Sequence, residues 1–311
     1  MTPFREYLKR IRPAVNRRIE EVASGEGAID PAVLPLLARG KRMRAGLLLR
    51  IHAGLTRATV PTRQALDLAC AVELAHAASL ILDDMLDGDT VRRGGPTLHL
   101  TRGEGRAVLD AVGVLALPYI LAAPYGAGYV TMLASAQQRM ARGVAWEMLG
   151  GPEFPAAELY DAIVARKTGC LFSLAAAWGA MAAGEEKVVV AAFADFGLFA
   201  GKAMQIADDI ADLYAPAAGI GDTRPGSEAL LLRCVHPGDN GTGQTLERLL
   251  EREMDGAAVR IADLGRQQVP PEVWEPLRQV VRDIVGLTIG GGMPDDGTLL
   301  QAACSGALPQ R

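Results

Sequence analysis

The sequence predicts an all-α fold, a helical bundle, on three observations. Its apolar stretches are filled mostly with alanine and leucine, which stand at the favourable end of the helix scale. Strand-like alternation bounded by turn pairs is hard to find, whereas long runs at helical spacing are common. Half of the 311 residues are apolar and 22% are charged, so a sizeable core is available and global disorder is not expected.

The elements follow in order along the chain. Residues 4–24 read as an amphipathic helix; charge begins at residue 5 and no apolar signal core is present, so no export is expected. The break "SGEGAID" separates it from helices expected at 31–36 and 41–56, and a long helix follows at 62–87. After "RRGGPT", residues 105–149 are helical. Within them, 111–136 carry no charge and are long enough to span a bilayer. Pro118, Pro124, Gly126 and Gly128 interrupt that run, so two buried helices broken near Pro124 are expected instead. "LGGPEFP" and "MAAGEE" bound a helix at 157–184, and another runs over 186–213. The Gly/Pro/Asp-rich run 215–243 reads as a loop or flap, helices return at 244–268 and 271–286, and the Gly-rich tail 290–311 is expected to be frayed. No repeat of fixed period is visible, and one domain over 1–311 is expected.

Bulk charge narrows the partners. A net charge of -4 offers no general attraction to nucleic acid or to an anionic membrane, and no stable membrane insertion is expected. The four cysteines (Cys70, Cys170, Cys234, Cys304) are scattered, which argues against a zinc site or a disulfide framework and fits a reducing, cytoplasmic location. The four histidines show no metal-binding spacing either.

Against this background "SLILDDMLDGDTVRRGG", residues 79–95, is anomalous. Asp83, Asp84 and Asp87 crowd the end of an apolar helix, where like charges three or four residues apart cost roughly 0.2–0.5 kcal/mol per pair. "GKAMQIADDIADLY" repeats the DDxxD pattern with Asp208, Asp209 and Asp212. One such cluster could be a solvated helix end. Two, each on a helix expected to be buried and each opposing its helix dipole, look recruited. Oxygen-only donors suit Mg²⁺, which keeps waters and completes its shell with substrate phosphate oxygens. The expected ligand is a diphosphate bridged by metal to both clusters.

Basic residues match that ligand. "RGKRMRAG" puts Lys41, Arg42 and Arg44 at a helix start, where backbone N–H groups also favour anions. Arg92 and Arg93 follow the first aspartate cluster, and Lys167 and Thr168 sit mid-helix in "ARKTGCLF". The bland readings are a solvated basic turn for the first and a snorkelling lysine for Lys167. The chain has only five lysines, however, and Lys41, Lys167 and Lys202 lie in or beside these segments.

Taken together, "GKRMR", "AHAASLILDDMLDGDTVRRGGPT", "KTG" and "GKAMQIADDIAD", spread over residues 40–214, resemble the polyprenyl synthetase family, the trans-type isoprenyl diphosphate synthases, in order and spacing. The resemblance implies a bundle, usually a homodimer, around a deep apolar cavity with magnesium at its mouth. It implies that Asp83, Asp87 and Asp208 bind Mg²⁺ with Asp84, Asp209 and Asp212 close by. Lys41, Arg44, His76 and Arg93 are implied to hold isopentenyl diphosphate; Arg92, Lys167 and Gln205 are implied to hold an allylic diphosphate. Thr168 and Gln205 are implied to face the developing carbocation. Ala78 and Ser79, five and four residues before Asp83, are small, so by the same analogy a farnesyl-length stop is disfavoured and a geranylgeranyl or longer product is expected.

The sequence also departs from the family. Met204 stands where phenylalanine is usual, no lysine follows Lys202 to supply the Gly-Lys element of the next loop, and Arg224 is a candidate substitute, although arginine is not a simple replacement for lysine's point charge. The segments "RAVLDAVGVLA" and "GVAWEMLGG" lack expected polar residues. Two other readings therefore stay open: a terpene cyclase on the same fold, and a non-catalytic partner subunit. The complete isopentenyl set speaks against the first, and the intact aspartates with Lys167 speak against the second.

Overall fold

Where each helix starts and stops follows from local chemistry, and the computed structural model describes this for residues 2–25, 29–92, 94–214 and 242–289. The chain divides into two compact units. The first comprises Glu6–Ser135 with Trp178–Gly184; the second comprises Met1–Arg5, Ala136–Ala177 and Glu185–Arg311. The 215–243 run and the 290–311 tail, with Arg224, lie outside the described residues except for 242 and 243.

In the first unit, α1 (Phe4–Ala23) leads through a 3₁₀ turn (Pro31–Val33) into α2 (Leu34–Ala38) and α3 (Met43–Thr56). The centre is α4 (Arg63–Leu86), whose N-terminus is capped by Thr62: its Oγ1 accepts from the Ala65 amide at 3.2 Å. Such a cap stabilises a helix by about 1 kcal/mol. Asp67, one turn on, is buried and accepts from Arg18 Nε of α1 at 2.6 Å and from the Tyr125 hydroxyl at 2.7 Å. A charge buried this way is tolerated because its oxygens are bonded. From there α4 is apolar on nearly all faces and packs on α3 and α6.

After α4 the structure adds a feature outside the helix-only expectation. Val91–Arg92 (β1) and Gly95–Pro96 (β2) pair antiparallel, with Gly94 supplying the positive φ of the turn. A short helix α5 (Leu98–Arg102) precedes α6 (Glu104–Ala122), a 3₁₀ turn (Ala123–Tyr125) and α7 (Ala127–Leu149). The expected break near Pro124 is thus present. The expected burial is only half met, because Val108, Leu109, Val112 and Ile120 of α6 are exposed. Among the described residues, Glu104–Tyr125 is one of three segments, with Arg63–Leu86 and Lys187–Ala211, that are long and apolar enough to cross a membrane.

Further along the chain, α8 (Ala156–Val164), a π-helical turn (Ala165–Gly169) and α9 (Cys170–Ala182), which lie in the second unit as far as Ala177, replace the single helix expected at 157–184. Next come α10 (Lys187–Tyr214), α11 (Thr242–Arg266), α12 (Pro271–Trp274) and α13 (Leu277–Ile289). The helix expected at 271–286 splits because Pro276 has no N–H to give the ladder. α10 packs on α11, α13 and the π turn, with Phe172, Phe193 and Phe196 fully buried. A Cβ on Gly201 would lie 2.9 Å from the Gly169 Cα, so only glycine lets α10 and the π turn come this close.

Candidate functional site

The C-terminal end of α4 sorts its three aspartates by direction. Asp83 and Asp87, four residues apart and so on one face, are half-buried and exposed respectively. Asp84 points elsewhere and is 2% exposed. Its Oδ1 accepts from Arg92 Nε at 2.5 Å, and Arg92 Nη2 also reaches Asp89 at 2.5 Å. Burial raises the Asp84 pKa above the usual carboxylate value, and the Arg92 bond opposes that rise. The β1–β2 ribbon is what returns Arg92 to this position, fastened by the Thr97 hydroxyl donating to the Asp89 carbonyl at 2.7 Å. Arg93 lies outside the described residues.

The basic segment is held at the start of α3 by a buried carboxylate. Arg42 takes a left-handed conformation (φ 61°) and turns its guanidinium inward, to Asn16 Oδ1 at 2.9 Å and the Leu37 carbonyl. No side chain of the segment caps α3; Glu73 of α4 does so instead, its Oε1 accepting from the Ala45 amide at 3.0 Å. Lys41 is thereby exposed just ahead of the helix and Arg44 buried on its first turn. His76 is half-buried, two turns before Asp83 on the same helix. Ala78 is fully buried, and the half-buried Ser79 donates its hydroxyl back to the His76 carbonyl at 2.9 Å, so neither presents bulk.

The second unit brings together residues that are far apart in sequence. Thr168 Oγ1 donates to Gln205 Oε1 at 2.5 Å, Gln205 Nε2 donates to Asp209 Oδ1 at 2.8 Å, and the Tyr160 hydroxyl donates to Asp209 Oδ2 at 2.7 Å. Lys167 Nζ lies 2.5 Å from Glu147 Oε2 of α7. Lys167 and Thr168 both sit in the π turn, a feature found often at functional positions. Gly143 of α7 makes room for it: a Cβ there would lie 2.7 Å from the Lys167 amide nitrogen. Asp208 is half-buried, while the side chain of Asp212 lies outside the described residues. Lys202, also near the motif, is tied to the half-exposed Asp161 at 2.6 Å and to the buried Glu253 at 2.8 Å, an ion cluster that joins α10 to α8 and α11.

Two partners of the predicted site residues Lys167 and Asp209 escaped the sequence reading. Glu147 lies in "GVAWEMLGG", the segment read as poor in polar residues, and Tyr160 stands 49 residues from Asp209. Neither separation carries a periodic signal.

Among the described residues no three His, Cys, Asp or Glu side chains converge on one point. Asp83 and Asp87 in the first unit, and Asp208 in the second, are oxygen donors of the kind that a hard cation such as Mg²⁺ takes.

Comparison with known proteins bears on this arrangement. Residues 29–224 match the family model "Polyprenyl synthetase". The chain is 36% identical over 191 residues to the geranylgeranyl diphosphate synthase of Pseudescherichia vulneris, covering 57% of this chain and 61% of that protein. It is 32% identical over 225 residues to the geranylgeranyl diphosphate synthase of Pantoea ananas, covering 67% of this chain and 74% of that protein. Thus it spans only about three-fifths of the Pseudescherichia relative's length. The decaprenyl diphosphate synthase of Rhodobacter capsulatus superposes with a TM-score of 0.68 at 25% identity, over 92% of this chain and 97% of that one.

Proposed function

We propose that this chain, which belongs to the polyprenyl synthetase family, condenses isopentenyl diphosphate with an allylic diphosphate to give a trans-prenyl diphosphate of geranylgeranyl length or longer. The observation that carries the reading is the Lys167–Thr168–Gln205 constellation beside the second aspartate motif, built by a π turn at the cost of a regular helix. The relatives named as geranylgeranyl diphosphate synthases support the product class, as do the small residues Ala78 and Ser79.

The residues then divide the work. Lys41, Arg44, His76 and Arg93 hold the diphosphate of isopentenyl diphosphate. Arg92, Lys167 and Gln205 hold the allylic diphosphate, Lys167 exchanging Glu147 for a phosphate oxygen and Gln205 offering the second hydrogen of its amide. When bound at Asp83, Asp87 and Asp208, Mg²⁺ neutralises charge that builds on the leaving oxygens. Cationic side chains fixed in advance do the same without reorganising, which favours ionisation of the allylic C–O bond. Thr168 and Gln205 present oxygen to the cationic carbon, the double bond of isopentenyl diphosphate attacks it, and the departing diphosphate takes the proton released. Apolar walls keep water from quenching the cation.

We place the protein in the cytoplasm without stable membrane insertion, as a homodimer joined through the exposed apolar side of α6. The test of the activity is an incubation with Mg²⁺, isopentenyl diphosphate and each allylic diphosphate in turn, with products read by mass spectrometry. A linear product of twenty or more carbons, lost in Asp83→Ala, supports the synthase. A cyclic hydrocarbon without elongation establishes the cyclase instead. Absence of turnover together with absence of magnesium-dependent binding of a diphosphate analogue establishes the partner subunit.

A further inference from the structure

Asp209 belongs to an aspartate motif, yet its surroundings differ from those of Asp208. It is 3% exposed, and each of its oxygens accepts a bond from a protein donor, Tyr160 on one side and Gln205 on the other. Tyr160 is 2% exposed and Thr168 4% exposed, so the chain of bonds from Tyr160 to Thr168 runs through the interior of its unit.

The order of donors in that chain is dictated by Asp209. A carboxylate only accepts, so the edge of the Gln205 amide that faces it must be the NH₂. The Gln205 carbonyl oxygen is therefore turned to Thr168, and the Thr168 hydroxyl must donate its single proton to it. What Thr168 has left to offer is a pair of lone pairs. A hydroxyl oriented in this sense stabilises positive charge; with its proton pointing the other way it would oppose it.

We propose that Asp209 is a positioning carboxylate and not a metal ligand: anchored by Tyr160, it fixes the Gln205 amide and through it the orientation of the Thr168 hydroxyl toward the cationic carbon. The proposal rests on the synthase reading above. Asp208, one residue earlier and half-buried, is the member of the pair left to serve magnesium.

Two readouts on the full-length protein test it. The first is Mn²⁺ binding in the presence of inorganic pyrophosphate, followed by electron paramagnetic resonance of the free ion. Asp208→Asn is expected to weaken binding about tenfold, whereas Asp209→Asn and Tyr160→Phe bind within about twofold of wild type. The second is steady-state turnover. Tyr160→Phe is expected to lower kcat by about tenfold, with KM for both diphosphates within about twofold, because only an orientation felt in the transition state is lost. In a Thr168→Val background the same Tyr160→Phe change is expected to add less than about twofold, since the group it orients is gone. The Tyr160 and Thr168 variants carry the test even if Asp209→Asn does not fold. Losses that multiply, or an Asp209→Asn protein that binds Mn²⁺ as poorly as Asp208→Asn, overturn the proposal alone. An inactive wild type overturns the synthase reading and this proposal with it.

Discussion

At the scale of single residues, the buried carboxylates of this chain are held by bonds, and some of those bonds set how stability responds to pH. Tyr125 is pushed up to about 12 by burial first and by its hydrogen bond to Asp67 second. Tyr7 is also pushed up to about 12, by burial, against the opposing pull of Arg50 and Arg10. Both phenols hold their protons more tightly folded than unfolded, so this part of the stability is complete below about pH 10. It is lost as pH rises from there through about 12, because the unfolded chain ionises first. The melting temperature is therefore expected to fall over that interval, and Tyr125→Phe to show a shallower fall; an unchanged slope in the variant would contradict the assignment. At this scale the sequence showed which residues were out of place but not what they touch. The aspartate clusters were legible because like charges on an apolar helix need a reason. Glu147 and Tyr160 were not, since contacts across 20 and 49 residues leave no local trace.

At the scale of elements, the start of α3 and the π turn place the basic residues, and each depends on one residue of a neighbouring helix. Glu73 supplies the cap that Arg42 does not and also lies 3.6 Å from the Arg42 guanidinium, both groups being buried. Glu73→Ala leaves the Ala45 amide and part of Arg42 without a partner. Removing one side of a buried pair costs about 3–5 kcal/mol, and Arg42 keeps Asn16 and Leu37, so about 2–4 kcal/mol is expected in denaturant unfolding. The same change frees Lys41 and Arg44 from their frame, and KM for isopentenyl diphosphate is expected to rise more than kcat falls. A variant with unchanged unfolding would show that Glu73 is not the cap. Gly143→Ala tests the other element. Its methyl would meet the Lys167 backbone nitrogen, and overpacking of this kind costs about 1–3 kcal/mol. A fall in kcat with Lys167 displaced is expected, and full activity would mean that the turn has slack. The break at Pro124 was legible because proline ends the ladder wherever it falls. The π turn was not. An extra residue shifts the phase of the apolar pattern, and α8 and α9 are too uniformly apolar for a phase to show.

At the scale of the whole molecule, the all-α class was legible because, among the described residues, the long runs of alanine and leucine became helices. The outer surface was hidden for the same reason, since a helix apolar on all sides does not announce which side is left uncovered. α6 is that helix. Val108, Leu109, Val112 and Ile120 are 40%, 67%, 58% and 62% exposed, spaced so that they form one stripe along it. A contiguous apolar stripe on a monomer is unfavourable in water, at roughly 25 cal/mol for each Å² left wet. Covering it with the same stripe of a second chain, related by a twofold axis, removes both at once. Size-exclusion chromatography with light scattering is expected to give twice the monomer mass for the wild type, and the monomer mass for Leu109→Lys/Val112→Lys. The doubly charged variant should be at least as soluble as a wild type held in its dimer, because the lysines replace apolar surface that a lone chain would expose. Since the same segment is long and apolar enough for a bilayer, vesicle flotation without detergent separates the two ways of covering it. A wild type that stays monomeric and floats with the vesicles would show that lipid, and not a second copy, takes this face.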